Sequence, residues 1–366
     1  MSVLIAEPPV SSVASLALCC PDCGHALAGL DGDSSCCGCG IRFPLDEGGV
    51  RDLRPARHAR AEFSRLWSLW EEGRLGDRGL LYRRTPGDHL LTVLDSLGMR
   101  PHELAGLRIL EVGMGSGRLL AEIQRYNPSA VGAGLERPLL SSNLRPGTVY
   151  CADLFHLPFR PEQFDLVICK SVLQHTPDPA KAFACLAAQV APGGRLYINV
   201  FEKGMRCALF LRAILPFCWL YPERVCLAIA AAVAGARAAL FALRRRMFDR
   251  EAIRLEYGLA KLGTFDSLQP RHAFRFNPGE VLEWFRTAGF PAERTSPSHF
   301  VGRKSASPVR TPRTTVGRQP VRWGAFGVTA ISIADTYKAL LEDWEAFCVT
   351  AIPIVDTYKV LLEDML

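Results

Sequence analysis

The sequence predicts an α/β protein with a mostly parallel central sheet and helices on both faces. From residue 107 onward, short apolar runs alternate with helix-like runs, and a glycine-rich turn follows the first of them. A paired-cysteine segment precedes this region, and a linker and short helices are predicted to follow it. Of the 366 residues, 49% are hydrophobic and 22% charged, which is typical of a globular protein and excludes a disordered or fibrous one.

The N-terminal segment contains two C-x-x-C pairs, each followed by glycine. The four candidate ligands are Cys20, Cys23, Cys36 and Cys39. Two tight turns that each present two thiolates suit a tetrahedral zinc site, and the glycines let the backbone amides curl toward the sulfurs. We therefore predict a structural Zn²⁺ ion in a zinc ribbon over residues 1–54. Because Cys19 and Cys37 adjoin the candidates, a register shifted by one stays open. A redox-active thiol cluster is the alternative, and it does not explain both glycines.

Residues 54–100 are predicted to be helical. Phe63, Leu66, Trp67 and Trp70 recur at helical spacing. The face that they form either packs as a core or covers a ligand site, and the sequence leaves both interpretations open.

The run RILEVGMGSGRLLAEI, residues 108–123, places a glycine-rich turn between a strand and a helix. Gly113, Gly115 and Gly117 form G-x-G-x-G, with Glu111 just before them. A dinucleotide fingerprint would need its third glycine at Arg118, and a phosphate-binding loop would need a G-K-[ST] that the run lacks. A carboxylate beside the turn repels a pyrophosphate. It suits a positively charged nucleoside that carries no phosphate.

This turn resembles that of class I S-adenosylmethionine-dependent methyltransferases, and three later motifs follow in the order of that family. They are CADL, FDLVICKSVLQH and VAPGGRLYINV, so the resemblance spans residues 107–200. It implies a Rossmann-like sheet of seven strands in residues 55–304, S-adenosylmethionine as cofactor, and Asp153 and the Leu154 amide on the adenine. The predicted cofactor-binding residues are Glu111, Gly113, Gly115, Gly117, Glu136, Asp153, Leu154 and Lys170. Of these, Lys170 has a second interpretation as a charge at a strand end. The cysteine segment similarly resembles zinc ribbons found ahead of some bacterial methyltransferases.

One position departs from the family pattern. The second strand usually ends in an acid that holds both ribose hydroxyls, and here that position is Gly134. The nearest acid is Glu136. Either Glu136 replaces the missing carboxylate, or another group holds the ribose, or cofactor binding is altered.

The acceptor side is predicted from the loop after the fourth strand. The resemblance places His175 there, where an imidazole whose pKa lies near neutrality can act as a general base. A structural histidine is the alternative interpretation. Asp266 and His272 lie in a later stretch that also resembles the family, and we predict that they line the acceptor pocket.

Between residues 202 and 262 lies an apolar insert with sparse arginines. Residues 225–243 carry one charge, Arg237. We predict a helical lid over the acceptor site. A membrane span and membrane-surface docking through residues 244–246 stay as alternatives, although the alanine content makes a poor span.

The C-terminal region is predicted to be a disordered linker, residues 305–327, followed by a duplicated tail, residues 328–366. VTAISIADTYKALLEDW and VTAIPIVDTYKVLLEDM repeat at an offset of 21 residues. Each copy predicts a short amphipathic helix that docks on the body or on a protein partner. A peptide that an enzyme modifies is the alternative.

The sequence therefore predicts a cytoplasmic methyltransferase that acts on oxygen or carbon of a small or lipid-like acceptor. The absence of a signal-peptide pattern supports the location, and the insert allows contact with a membrane surface. The alternative is a non-catalytic scaffold that acts through the ribbon and the tail. A net charge of +6 concentrated in one linker, without a basic and aromatic surface pattern, argues against a nucleic-acid partner.

Overall fold

A computed structural model describes most of the chain up to residue 306. The described residues are 16–29, 32–55, 64–76, 88–136, 138, 143–203, 215, 217–245 and 249–306. The predicted linker from residue 307 and the duplicated tail lie outside them.

The cysteine segment forms a small antiparallel sheet. Its strands are β1 (Leu27–Ala28), β2 (Ser34–Cys36) and β3 (Arg42–Phe43), in that order. The chain before it docks on the body, where Leu18 bridges to Phe159 and the Cys19 amide donates to the Pro158 carbonyl at 2.9 Å. The ribbon is therefore tied to the main sheet through its N-terminal arm.

The main sheet has eight strands. They are β4 (Val50–Asp52), β5 (Ile109–Val112), β6 (Val131–Gly134), β7 (Val149–Cys151), β8 (Phe164–Lys170), β9 (Val190–Asn199), β10 (Ala292–Ser296) and β11 (His299–Arg303). Their spatial order is β10-β11-β9-β8-β5-β6-β7-β4, and all pairs are parallel except those that β11 makes with β9 and β10. This is the predicted Rossmann-like, mostly parallel sheet.

The prediction of seven strands was wrong by one. The extra strand, β4, comes from the segment that we assigned to the ribbon, and it pairs in parallel with β7. Its three residues are too few to give a clear strand pattern in the sequence, so only the pairing partner reveals the strand.

The central strands are buried on both faces, which explains their continuous apolar runs. All four residues of β5 are buried, including Glu111. Because β5 lies between β6 and β8, the strand order reverses at β5. In such sheets ligands bind at the carboxyl ends of the strands next to this reversal. The glycine turn begins there.

Seven α-helices surround the sheet in the described residues. They are α1 (Ser64–Glu71), α2 (Asp88–Leu97), α3 (Arg118–Gln124), α4 (Pro179–Gln189), α5 (Glu223–Arg245), α6 (Arg250–Leu268) and α7 (Pro278–Thr287). Helices α2 and α3 contribute to one hydrophobic cluster of the sheet, and α4 and α7 contribute to the other. The sheet is therefore covered on both faces, as predicted.

The apolar insert forms a hairpin of α5 and α6 that packs on α1. Their shared cluster includes Leu69 of α1, Cys226 of α5 and Phe265 of α6, each fully buried. Helix α6 continues to Leu268, beyond the predicted end of the insert near residue 262. Within the described residues, Glu223–Arg244 is the one helical segment whose length and composition would allow it to cross a membrane.

Candidate cofactor and acceptor site

The glycine turn requires all three of its glycines. Gly113, Gly115 and Gly117 have φ values of 76°, 52° and 84°, a left-handed backbone that other residues rarely adopt. A Cβ at Gly113 would lie 2.2 Å from Cγ2 of Val172, and one at Gly115 would lie 2.6 Å from Cζ2 of Trp67. The turn is thus a bare backbone cradle enclosed by neighbouring side chains.

Helix α1 supplies one wall of this cradle. Its Leu66 and Leu69 are buried against the hairpin, while Trp67 lies against Gly115. One side of the predicted helical face therefore packs as a core, and Trp67 lies against the turn, whereas Phe63 lies outside the described residues. That this face covers a ligand stays a prediction. The helical spacing predicted the face, but not which residue meets the turn.

Glu111 is a buried carboxylate at the base of the turn. It is 4% exposed, and its Oε2 has no hydrogen-bond partner. Burial raises the pKa of Glu111 to about 8, and the nearby positive charge of Lys170 opposes this rise. Such a group has an unmet demand for a cationic or hydrogen-bond-donating ligand.

Lys170 is the last residue of β8, the strand beside β5, and its positive charge interacts with the carboxylate of Glu111. Burial lowers the pKa of this lysine, and its Nζ contacts Nδ1 of His89. The structure places Lys170 near Glu111, and its role in binding a cofactor stays a prediction. No pattern in the sequence indicated His89, which lies on α2 and contacts Lys170.

Gly134 is the last residue of β6 and lies against the glycine turn. A Cβ there would be 3.6 Å from the Met114 nitrogen and 3.8 Å from the Gly113 Cα, which are ordinary contacts. The φ angle of Gly134 does not lie in the left-handed region. A Cβ would therefore fit at residue 134 without strain in the backbone.

Glu136 lies two residues beyond Gly134, beside Arg54. Arg54 follows β4; its Nη1 donates to the Leu135 carbonyl at 3.3 Å, and its Nε donates to Asp52 at 2.9 Å. The charge of Glu136 contributes to raising the pKa of Arg54, after the larger effect of Asp52. The sequence missed Arg54, because its position depends on the unpredicted pairing of β4 with β7.

Asp153 is held in place at the carboxyl end of β7. Its Oδ1 accepts a hydrogen bond from the Phe155 amide at 3.0 Å and so caps the short turn Leu154–His156. Its Oδ2 lies 3.3 Å from Nδ1 of His156. This cap fixes the carboxylate and the Leu154 amide together at the edge of the predicted adenine pocket.

His175 ends the short turn after β8 and meets residues that follow α6. Its Nδ1 donates to the His272 carbonyl at 2.9 Å, which leaves the lone pair of the neutral ring on Nε2. Its ring packs edge-on against Phe201, with centroids 5.4 Å apart. Burial raises the pKa of Asp266, and the charge of His175 opposes this rise. The structure thus brings the three predicted acceptor-side residues together.

Gln174 is a further candidate that sequence reasoning missed. Its side chain is fully buried, and neither carboxamide atom has a hydrogen-bond partner. The backbone carbonyl of Gln174 accepts a hydrogen bond from the Phe274 amide at 2.9 Å, so Gln174 lies beside the same segment that orients His175. An unpartnered buried amide is costly. Its place next to His175 in the loop was the only available signal.

The four predicted thiol ligands form one cluster. Their sulfur atoms all lie within 4.8 Å of one another, and neither Cys19 nor Cys37 belongs to the group. The Sγ atoms of Cys20 and Cys39 are 3.7 Å apart, close to the edge of about 3.8 Å in a tetrahedron with Zn–S bonds of ~2.3 Å. The glycines after the pairs, Gly24 and Gly40, both have φ of 74°.

The second turn of the cluster also shows the predicted amide contacts. The amides of Gly38 and Cys39 donate to Sγ of Cys36 at 3.3 and 3.4 Å. These bonds lower the pKa of Cys36 to about 6, although burial opposes them. The donor set fits zinc in the register Cys20, Cys23, Cys36 and Cys39.

Known proteins show similarity centred on the same region. The family model described as a methyltransferase domain matches residues 110–198. The ubiquinone biosynthesis O-methyltransferase of Aeromonas salmonicida is 29% identical over 126 residues, 32% of this chain and 53% of that protein. The enzyme of the same name from Aliivibrio fischeri is 30% identical over 115 residues, 29% and 49% of the two chains. The chain thus spans about half the length of the curated relatives that it matches.

Among solved structures, the magnesium protoporphyrin IX methyltransferase of Synechocystis PCC 6803 is 14% identical, with a TM-score of 0.38. That match covers 66% of this chain and 96% of the other. The glycine turn, the CADL motif and most of the β8 to β9 region all fall within residues 110–198. Residues 110–198 therefore match the methyltransferase domain family, and they lie in the Rossmann-like, mostly parallel sheet described above.

Proposed function

We propose that this chain transfers a methyl group from S-adenosylmethionine to an oxygen of a small, lipid-like acceptor. The observation that carries the proposal is the bare glycine cradle with the buried, unpartnered Glu111 at its base, where the strand order reverses. The matching relatives are named ubiquinone biosynthesis O-methyltransferases. This name supports oxygen as the methylated atom and a lipid-like molecule as the acceptor.

The residues present fit the cofactor. Glu111 offers an unpartnered carboxylate oxygen to a cationic ligand, and the three glycines allow a left-handed turn packed closely against Val172 and Trp67, where a Cβ would collide. On this proposal Asp153 and the Leu154 amide hold the adenine, Glu136 holds the ribose in place of the acid missing at Gly134, and Lys170 balances the charge of Glu111. When bound, S-adenosylmethionine supplies an electrophilic methyl group on a good leaving group.

The chain itself orients the acceptor and removes its proton. His175 is fixed by its Nδ1 hydrogen bond to the His272 carbonyl, so Nε2 is the atom that accepts the proton of the acceptor hydroxyl. The nearby Asp266 stabilises the imidazolium that results. Trp67 and the α5–α6 hairpin exclude water from the cradle.

We also propose a structural zinc ion on Cys20, Cys23, Cys36 and Cys39. The sulfur spacing and the amide contacts to Cys36 support it. The ion would fix the fold of a segment that is too small to bury a core of its own. Strand β4 follows directly, so the site would also anchor the edge of the main sheet.

Calorimetry with S-adenosylhomocysteine tests the cofactor half of the proposal. We expect binding by the wild-type chain and its loss in Gly113→Ala, whose Cβ would collide with Val172. The matched control is Gly279→Ala, because a Cβ at Gly279 meets nothing within 4 Å. Thermal melts of both variants establish that they are folded.

Labelled S-adenosylmethionine with a panel of hydroxylated rings that carry apolar tails tests the transfer half. Label recovered on the acceptor oxygen, and lost in His175→Ala, is the expected result. A folded wild-type chain that binds no S-adenosylhomocysteine would refute the proposal. That outcome would favour the non-catalytic scaffold, for which Gly134 is the specific supporting observation.

A further inference from the structure

Helix α5 exposes an apolar face along its whole length. The helix has 23 residues and is about 34 Å long. The helix also exposes Arg224, Arg237 and Arg244, which lie beside this face. Its exposed apolar positions recur every three or four residues and share one side. They are Val225, Ala228, Ala232, Gly235, Ala236, Ala239, Leu240 and Leu243. We call this side the apolar stripe; it contains no polar side chain.

The stripe is distinct from the side of α5 that packs on the protein. Cys226, Ala230 and Ala234 are fully buried and lie on the opposite side, toward α1 and α6. The most apolar 18-residue window of the helix has a mean hydropathy of 2.1, yet only 28% of it is buried. The hydrophobicity of α5 is therefore more than its packing in the protein requires.

Large apolar side chains extend this surface at both ends of the helix. Before α5, Phe217 is 61% exposed and Leu220 is 72% exposed; at its end, Leu243 is 66% exposed. Phe217 adopts a left-handed backbone, with φ of 60°, that is unfavourable for a phenylalanine. Its ring lies 5.5 Å from that of Trp219. Exposed aromatic rings of this kind are favoured at membrane interfaces.

Basic residues predominate around the stripe. The only acid of α5 is Glu223, which pairs with Arg74 at 3.2 Å and also with Arg65. Arg224 and Arg244 are exposed, and the sequence continues with arginines at 245 and 246. Basic residues that flank an apolar helical face complement a surface of anionic lipids.

We propose that the apolar stripe docks α5 in the plane of an anionic membrane surface. The apolar side chains enter the boundary of the acyl chains, and the flanking arginines meet the headgroups. Arg237, midway along α5, pairs with Glu256 of α6 at 2.7 Å and keeps the helix attached to the body. Because the opposite side of α5 is buried against α1 and α6, the helix lies on the membrane and does not cross it.

The docking itself stands without the proposed function; only the use suggested for it, bringing a lipid-like acceptor to the site, rests on that function. Helix α6 runs from the end of α5 to Asp266, beside His175. A docked hairpin would therefore hold the acceptor site close to the surface from which a lipid-like acceptor leaves the bilayer. The docking itself does not require methyl transfer, so the two proposals fail separately.

Vesicle flotation of the full-length protein tests the docking. The vesicles contain phosphatidylcholine alone or phosphatidylcholine with phosphatidylglycerol. We expect wild type to float with the anionic vesicles and at least tenfold less of the Leu220→Glu/Leu243→Glu variant to do so. Leu91→Glu is the matched control, because Leu91 is 50% exposed but lies on α2, away from the stripe.

Three outcomes would overturn the inference. They are no flotation of the wild type, equal loss in Leu91→Glu, and a membrane association that survives alkaline carbonate, which would indicate a span. Light scattering without vesicles gives a fourth: a dimer that the double substitution dissociates would assign the stripe to a second copy of the chain. Calorimetry with S-adenosylhomocysteine on the same preparations keeps a failure of the proposed function separate.

Discussion

Restoring an acid at residue 134 gives the sharpest test of how the chain holds a ribose. A Cβ at Gly134 makes only ordinary contacts, at 3.6 Å and beyond, and its backbone is not left-handed. Gly134→Asp therefore costs little in strain. A hydrogen bond to a charged group contributes about 1.5–3 kcal/mol. We expect one such net gain of about 2 kcal/mol, which corresponds to roughly 30-fold tighter binding of S-adenosylhomocysteine.

The same reasoning predicts that Gly134→Asp and Glu136→Gln are not additive. In the wild-type background Glu136→Gln removes the ribose-binding acid and weakens binding by a similar factor of about 30. In the Gly134→Asp background the new carboxylate takes over, so Glu136→Gln has little effect. Calorimetry on the four chains of this double-mutant cycle measures the difference.

Gly134→Asn is the matched control, since it has nearly the same shape and no charge. The reasoning is refuted if Gly134→Asp leaves affinity unchanged or lowers it while Glu136→Gln is also without effect. Equal gains from Asn and Asp would show that shape, and not the carboxylate, is responsible. A 2′-deoxyribose analogue adds a second readout, because its affinity should respond less to both substitutions.

Three further predictions concern the buried acid, the acceptor side and the ribbon. Because the raised pKa of Glu111 lets folding take up a proton between pH ~4.5 and about 8, the free energy of unfolding should fall by about 1.4 kcal/mol for each unit that the pH rises across that window. Glu111→Gln should flatten this profile in denaturant titrations; a parallel profile would contradict the assignment. His175→Ala should lower the turnover number by about 10²–10⁴ with unchanged S-adenosylhomocysteine affinity in calorimetry, whereas an equal loss of cofactor affinity would indicate a structural histidine. Cys23→Ser should lower metal content in atomic absorption and the melting temperature, while Cys37→Ser, an exposed cysteine outside the cluster, should change neither.

The sequence predicted those parts of the fold that depend on local pattern. The strand runs from β5 to β9, the helix E-V-L-E-W-F in α7 and the two cysteine turns each have a local physical cause, and the structure places all of them as expected. The glycine turn also followed from residue type, because three left-handed positions accept little else.

What the sequence left out depends on contacts between distant segments. Strand β4 has three residues and is defined only by its pairing with β7, about a hundred residues later in the chain. The meeting of Trp67 with Gly115 and the burial of Gln174 likewise arise from packing. No periodicity or spacing in the sequence predicts which buried side chain will have no hydrogen-bond partner after folding.

The position of β4 also affects how readily the protein aggregates in the cell. β4 occupies the side of β7 that would otherwise present unpaired amides and carbonyls, and it ends the sheet with a three-residue strand whose Asp52 is exposed. Charged, short borders of this kind discourage chains from joining into aggregates. β4 is joined to the ribbon where Nη1 of Arg51 donates to the Phe43 carbonyl at 3.2 Å. If the proposed zinc ion holds the ribbon, we expect metal starvation to uncover Val149 and Tyr150, so that the protein precipitates before the glycine turn unfolds.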